Sequence, residues 1–340
     1  MLPSLSSVSH PMNILIIKLG ATGDVVRTTP LLRRLNDPIT WLTAAKNVPL
    51  LDELKQNLKC LAWEQRHLVS NAKYDLIINL EDTPDVAFYL NTLRYERLFG
   101  AHSSEGVMHY TEDSSGWFDL SLISKFGRQE ADRVKFLNRQ TYQELIFGGL
   151  GFRFSEEKYV LPEPVETGLK ADVAIAPEAG LVWPMKQWAY YGELQRKLET
   201  EGLRVNVLPI RPSLRQHLAD VRNHRCLVSA DSLPMHLALG IGTPCVTLFS
   251  CTSPWEIHDY GLQKKIVSPL LESFFYKRDY DRRATTAISV EEVFDAVMAQ
   301  LTAPVRGSPI KAICEKLSVK PRHNAQGDGP CPDLHVDLNS

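Results

Sequence analysis

The sequence predicts an α/β protein built from two doubly wound halves. Three observations lead there. Short β-branched runs alternate with helix-period segments along most of the chain, the mark of parallel sheets covered on both faces. The 340 residues exceed what one hydrophobic core usually supports. A proline- and glycine-rich stretch, LPEPVETGLKAD from Leu161 to Asp172, interrupts the alternation near its middle.

The elements follow in order. The first eleven residues are too short and too polar for a signal peptide and read as a loose lead-in. Asn13–Lys18 is a nearly all-apolar strand, suited to a sheet interior. Gly20 and Gly23 punctuate the turn after it, and a helix is predicted over Asp24–Leu35, kinked at Pro30, which lacks an N–H. Strand Ile39–Thr43, a helix around Val48–Leu58, strand Asp75–Leu80, helix Asp85–Leu93 and strand Arg97–Ala101 continue the alternation. His102–Phe126 reads as a polar, irregular loop, and helix Asp132–Phe147 closes the first half. The second half is predicted as strand Asp172–Pro177, helix Gln187–Glu201, strand Arg204–Pro209, helix Ser213–Arg222, strand Cys226–Ala230, helix Ser232–Gly240, strand Pro244–Phe249 and helix Ser289–Leu301. The expected domains are 12–160 and 172–302, joined by a linker at 161–171. Residues 303–340, rich in Pro, Gly, Lys and Asp, are expected to carry little order.

Composition bounds the function. Apolar residues make up 44% and charged residues 23%, with a net charge of −2, so nothing global argues for nucleic acid. No run approaches the ~20 apolar residues of a membrane span. Six cysteines contain no Cys-x-x-Cys pair, which fits a reducing cytosol and disfavours a zinc ribbon. His-Glu-x-x-His and Gly-x-Ser-x-Gly are both absent from the sequence, which argues against a zincin or an α/β-hydrolase.

Ligands of open α/β sheets bind at the carboxyl ends of the strands. Asp24 follows the first strand, in KLGATGDVV. Its spacing fits two roles, a helix cap or a base that removes a proton. Lys186 falls at the predicted start of a helix, where a cation opposes the helix dipole. It is either a solvated lysine or the partner of a phosphate at that helix mouth. In the stretch DSLPMH, Ser232 is a natural cap, Asp231 can accept hydrogen bonds from sugar hydroxyls, and His236 is either a buried histidine or a ligand contact. The basic runs from Arg211 to Arg225 and from Lys277 to Arg283 read first as solvated faces, and secondarily as a hold on an anionic acceptor.

Three motifs in register, ILIIKLGATGDVVRTTPLL, KQWAYYGELQRKL and DSLPMHLALGIGTPCVTLFSCTSP, resemble glycosyltransferase family nine, the lipopolysaccharide heptosyltransferases. The resemblance implies a GT-B fold, two Rossmann-like domains facing across a cleft, with the acceptor on the N-terminal side and the nucleotide sugar on the C-terminal side. It implies inverting transfer of heptose from ADP-heptose to a saccharide such as the lipopolysaccharide core, with neither metal nor other cofactor. By the same resemblance Asp24 is the general base, and Lys186, Asp231, Ser232 and His236 contact the donor diphosphate and sugar. Gly23, Leu181, Val182 and Leu233 then border the donor pocket.

Two departures stand out. Leu233 occupies a position where the family usually has glycine, which narrows the backbone approach of a phosphate. The second half reads one strand–helix step short, with no acid matching the one near the nucleotide base. These departures motivate an alternative, a GT-B protein that binds a nucleotide sugar or a partner without transfer, or that uses another donor or acceptor. The expected partners are a nucleotide sugar and a saccharide or glycolipid acceptor, with no nucleic acid and at most peripheral membrane contact. The expected location is the cytoplasm, at the inner face of the inner membrane if the acceptor is a glycolipid.

Overall fold

A computed structural model describes residues 11–121, 126–180 and 182–303. Two sheets organise residues up to Leu301, which form one compact unit. The strands are β1 Ile14–Ile17, β2 Ile39–Thr43, β3 Leu58–Ala62, β4 Lys73–Asn79, β5 Arg94–Ser104 and β6 Val107–Tyr110, then β7 Ala171–Ala176, β8 Val205–Val207, β9 His224–Ala230, β10 Cys245–Phe249 and β11 Gln263–Val267. The first sheet runs β3-β2-β1-β4-β5-β6 and the second β11-β10-β9-β7-β8. Every pairing is parallel except β5 with β6.

β1 shows why this arrangement forms. All four of its residues are fully buried. Ile14 and Ile16 pack on one face with Trp41 and Ile78. Leu15 and Ile17 pack on the other with Leu42 and Ile77. A strand apolar on both faces is stable only with cover on both sides, and each such side chain contributes about 1.5–3 kcal/mol of burial. The cluster that contains Ile14 continues through Tyr159 into Leu218, Met235 and Leu237 of the second half.

Several predicted elements are corrected. The first helix spans Thr22–Thr28 and tightens to a 3₁₀ turn over Thr29–Arg33 at Pro30, rather than running on to Leu35. The helix expected over Val48–Leu58 ends at Leu51, and Leu58 opens a strand. His102–Phe126 is not an irregular loop. β5 extends to Ser104, β6 pairs back on it, and helix Ser115–Ser121 follows, anchored by buried Trp117 and Phe118. Residues 122–125 lie outside the described part. The helix expected over Asp132–Phe147 is two, Arg128–Leu137 and Tyr142–Gly149. The second starts at a capping box in which Thr141 and Glu144 satisfy each other's backbone N–H groups. The second half gains β11 and the short helices Leu271–Phe274 and Arg282–Thr286. Of the tail 303–340, all but Ala303 lies outside the described residues. Among the described residues no helix is long and apolar enough to cross a membrane.

Candidate functional site

The carboxyl ends of β1 and β4 are tied together. Asn79, fully buried at the end of β4, donates to the carbonyls of Glu81 and Ala101 and accepts from the Glu81 N–H. That loop aims the Glu81 carboxylate at β1, where Oε1 accepts from Lys18 Nζ at 2.8 Å, Leu19 N at 2.7 Å and Gly20 N at 2.8 Å. A Cβ on Gly20 would lie 2.7 Å from Lys18 Nζ, so a larger residue there would have to displace the end of that lysine.

The helix after this clasp places Asp24. Ala21 holds the N-cap position, so Asp24 is the third helical residue and not the cap. Its carboxylate Oδ1 meets Arg27 Nη2 at 3.0 Å, with the Asp24 side chain about one-third exposed. Arg27 lies over the Tyr142 ring at 4.0 Å. Burial raises the Asp24 carboxyl, but the Arg27 and Lys18 cations outweigh it and hold the group below the usual carboxylate range.

The facing elements belong to the second sheet. Lys186 is the last residue of a 3₁₀ turn over Pro184–Lys186, and the helix after it begins only at Tyr191. The expectation that Lys186 sits at a helix mouth is therefore corrected. Pro184 starts a separate turn, and Gln187, at ψ 89°, breaks the path to the helix. Lys186 instead donates to the Asp231 backbone carbonyl and to Asp231 Oδ2 at 3.0 Å. Burial raises the Asp231 carboxyl, yet Lys186 and His236 bring it down to about 2. Trp188, two residues on, packs in the core and donates to the Ile288 carbonyl.

Helix Leu233–Ile241 follows β9. Ser232 holds its N-cap position, but the hydroxyl donates back to the Ala230 carbonyl and makes no side-chain cap. The cap expected of Ser232 is thus absent, and the first-turn amides of this helix are left without a side-chain acceptor. Pro234 is tolerated because a first-turn residue needs no intrahelical N–H. His236 is 5% exposed, with Nδ1 3.4 Å from the Tyr159 hydroxyl. Burial brings its imidazole down to about 4, against the pull of Asp231. His236 also meets the first helix, because a Cβ on Gly23 would lie 2.9 Å from His236 Cδ2.

These pieces surround one cavity of about 580 Å³. Asp24, Gly23, Arg27 and Lys18 line one wall, and Lys186, Asp231, Ser232, Leu233, His236 and Val182 line the other. Leu181 lies outside the described residues. Sequence reasoning missed Arg27 and Lys18. Lys18 pairs with Glu81, 63 residues on, and Arg27 links Asp24, in its own helix, to Glu256 of the second half, so only the charge of each was visible in the sequence. Among the described residues no group of three His, Cys, Asp or Glu side chains is placed to hold a metal ion. Arg283 of the second basic run pairs with Asp281 at the surface, and Arg211 of the first pairs with buried Asp220.

Comparison with known proteins agrees with this architecture. Residues 173–288 match the family model of glycosyltransferase family 9 (heptosyltransferase). No curated protein matches the chain by sequence. Among solved structures, the glycosyltransferase family 9 protein from Veillonella parvula is 16% identical, with a TM-score of 0.59, over 86% of this chain and 98% of that one. The E. coli heptosyltransferase WaaC with ADP-2-deoxy-2-fluoro heptose is 14% identical, with a TM-score of 0.55, over 84% and 99%. The E. coli ADP-heptose heptosyltransferase II is 16% identical, with a TM-score of 0.52, over 85% and 98%. The second half thus matches the glycosyltransferase family 9 model, and along most of its length the chain shares the GT-B fold of these structures.

Proposed function

We propose that the cleft transfers a sugar from a nucleotide-sugar donor to an acceptor hydroxyl, with inversion and without a metal or other cofactor. The observation that carries this reading is a carboxylate on one wall of a single cavity and a paired lysine beside an uncapped helix on the other. Asp24 takes the acceptor proton, and the freed oxygen attacks the anomeric carbon as the bond to the diphosphate breaks. A carboxylate held this acidic accepts the proton late, as the new bond forms. Arg27 engages Oδ1, which leaves Oδ2 for the proton.

The negative charge released falls on the diphosphate. An ammonium has three donors, and two of those on Lys186 are used on Asp231. The third, with the first-turn amides after Ser232, stabilises the leaving group. ADP-heptose is the leading donor, supported by the WaaC structures with ADP and with an ADP-heptose analogue. A saccharide or glycolipid such as the lipopolysaccharide core is the leading acceptor, taken in the cytoplasm with at most peripheral membrane contact.

The test is turnover of ADP-heptose with a core-saccharide acceptor, read as ADP release, beside the Asp24→Asn variant. The variant is expected to bind ADP like the parent and to turn over at least ~100-fold more slowly. Equal turnover removes Asp24 as base. Binding of ADP-heptose without turnover by the parent, across saccharide acceptors, favours a binding protein instead.

A further inference from the structure

We infer that Thr252, Ser253 and Glu256, in the loop after β10, form a subsite for the hydroxyls of the transferred sugar ring. This rests on the transferase reading and adds residues that it does not use. All three side chains line the cavity. They are 4%, 2% and 6% exposed. Each holds one oxygen, Thr252 Oγ1, Ser253 Oγ and Glu256 Oε1, that is buried without a hydrogen-bond partner. Buried polar atoms are nearly always satisfied in a folded protein, so three orphans within five residues of one cavity wall point to a ligand that supplies the partners. On the neighbouring backbone, by contrast, the Thr247 hydroxyl accepts from Gln263 and the Ser268 hydroxyl accepts from the Leu270 N–H.

The chemistry of the three oxygens selects the ligand. Two are hydroxyls that donate and accept, and one is a carboxylate that only accepts. An apolar group leaves all three unsatisfied, and a phosphate is repelled by Glu256. An ammonium is disfavoured by Arg27, whose Nη1 lies 3.9 Å from Glu256 Oε2. A neutral polyhydroxylated ring satisfies the set. Arg27 also reaches Asp24 at 3.0 Å, so Glu256 stands one guanidinium away from the proposed base. The loop belongs to the half that carries Lys186 and the uncapped helix, which assigns the ring to the donor.

The test is calorimetry of ADP and ADP-heptose with the parent, Thr252→Val and Glu256→Gln, alongside thermal melting of each without ligand. The parent should bind ADP-heptose more tightly than ADP. Each variant should lose about tenfold to a hundredfold of affinity for ADP-heptose and keep its affinity for ADP. Thr252→Val should melt at or above the parent temperature, because it removes an unsatisfied buried hydroxyl. A general packing defect would instead lower the melting temperature and weaken both ligands together. Equal loss for ADP and ADP-heptose overturns the subsite, as does an unchanged difference between them. A loss confined to the acceptor KM also overturns the assignment to the donor ring. A parent that binds ADP but gains nothing from the heptose refutes the subsite alone. A parent that binds none of ADP, GDP and UDP refutes the donor reading and the subsite with it.

Discussion

Gly23 is the point where the first helix touches the opposite half, and replacing it with alanine tests that contact. A Cβ at this position would stand 2.9 Å from His236 Cδ2 and 3.5 Å from Nε2. Carbon atoms settle at roughly 3.5–4.0 Å, so relief needs a shift of about 0.6–1 Å. The imidazole has little room to supply it, being 5% exposed and facing the Tyr159 hydroxyl. The helix must then back away from helix Leu233–Ile241. Overpacking of this kind costs about 1–3 kcal/mol, less about 0.5–1 kcal/mol gained by alanine over glycine in a helix. The expected net loss is ~0–2.5 kcal/mol, at most a few degrees in melting temperature. Turnover is the more sensitive readout, since a displacement of about 1 Å at reacting groups costs on the order of 100-fold. Thermal melting and initial rates of ADP release should be measured together, with Gly116→Ala as the control. Gly116 lies exposed in helix Ser115–Ser121, and a methyl group added there would meet nothing within 4 Å. Alanine at that position should leave stability equal or raise it by about 0.4–1 kcal/mol. A Gly23→Ala protein that melts like the parent and turns over at full rate refutes the contact between the two helices.

Three further outcomes follow from the site. Glu81→Gln removes the counter-charge of Lys18, whose side chain is 8% exposed. Breaking a buried pair costs about 3–5 kcal/mol, so urea unfolding should show a loss of that order, and no loss would contradict the clasp. Lys186→Ala should weaken ADP binding measured by calorimetry and, by stripping the counter-charge from Asp231, also lower the melting temperature, and unchanged ADP affinity removes Lys186 from the site. His236 titrates at about 4 in the folded protein against 6.5 in the unfolded chain. The unfolded state therefore binds more protons between these values, so its contribution is complete above pH 6.5 and is lost as pH falls toward 4. The shift is worth about 3 kcal/mol, and His236→Asn should flatten the pH dependence of unfolding over that window.

The central strands were legible in the sequence and most edge strands were not. β1, β2, β9 and β10 carry continuous apolar runs because both their faces are covered. The three unread strands, β3, β6 and β11, all lie at sheet edges and have at most one buried residue each. In Gln263–Val267 only Ile266 is buried, too little to show a period. The break before Tyr142 had a readable signal in the polar run Asn138–Thr141 and in Thr141-x-x-Glu144. In the site, Asp24 and Asp231 were visible as acids at strand ends. Lys18 and Glu256 were not, because each acquires its role from a group at least 63 residues away or on the other half.

The Lys18–Glu81 clasp has a consequence for how such a cleft can diversify. The proposed base is positioned by the ends of two interior strands, whereas helix Ser115–Ser121 lines the neighbouring rim with Trp117, Phe118 and Leu120 from a separate stretch of chain. Insertions or replacements along that rim can reshape what is admitted without disturbing where the proton goes. Recognition and reactivity are thereby mutable on independent schedules, the first by changing a border and the second only by rebuilding the centre of a sheet.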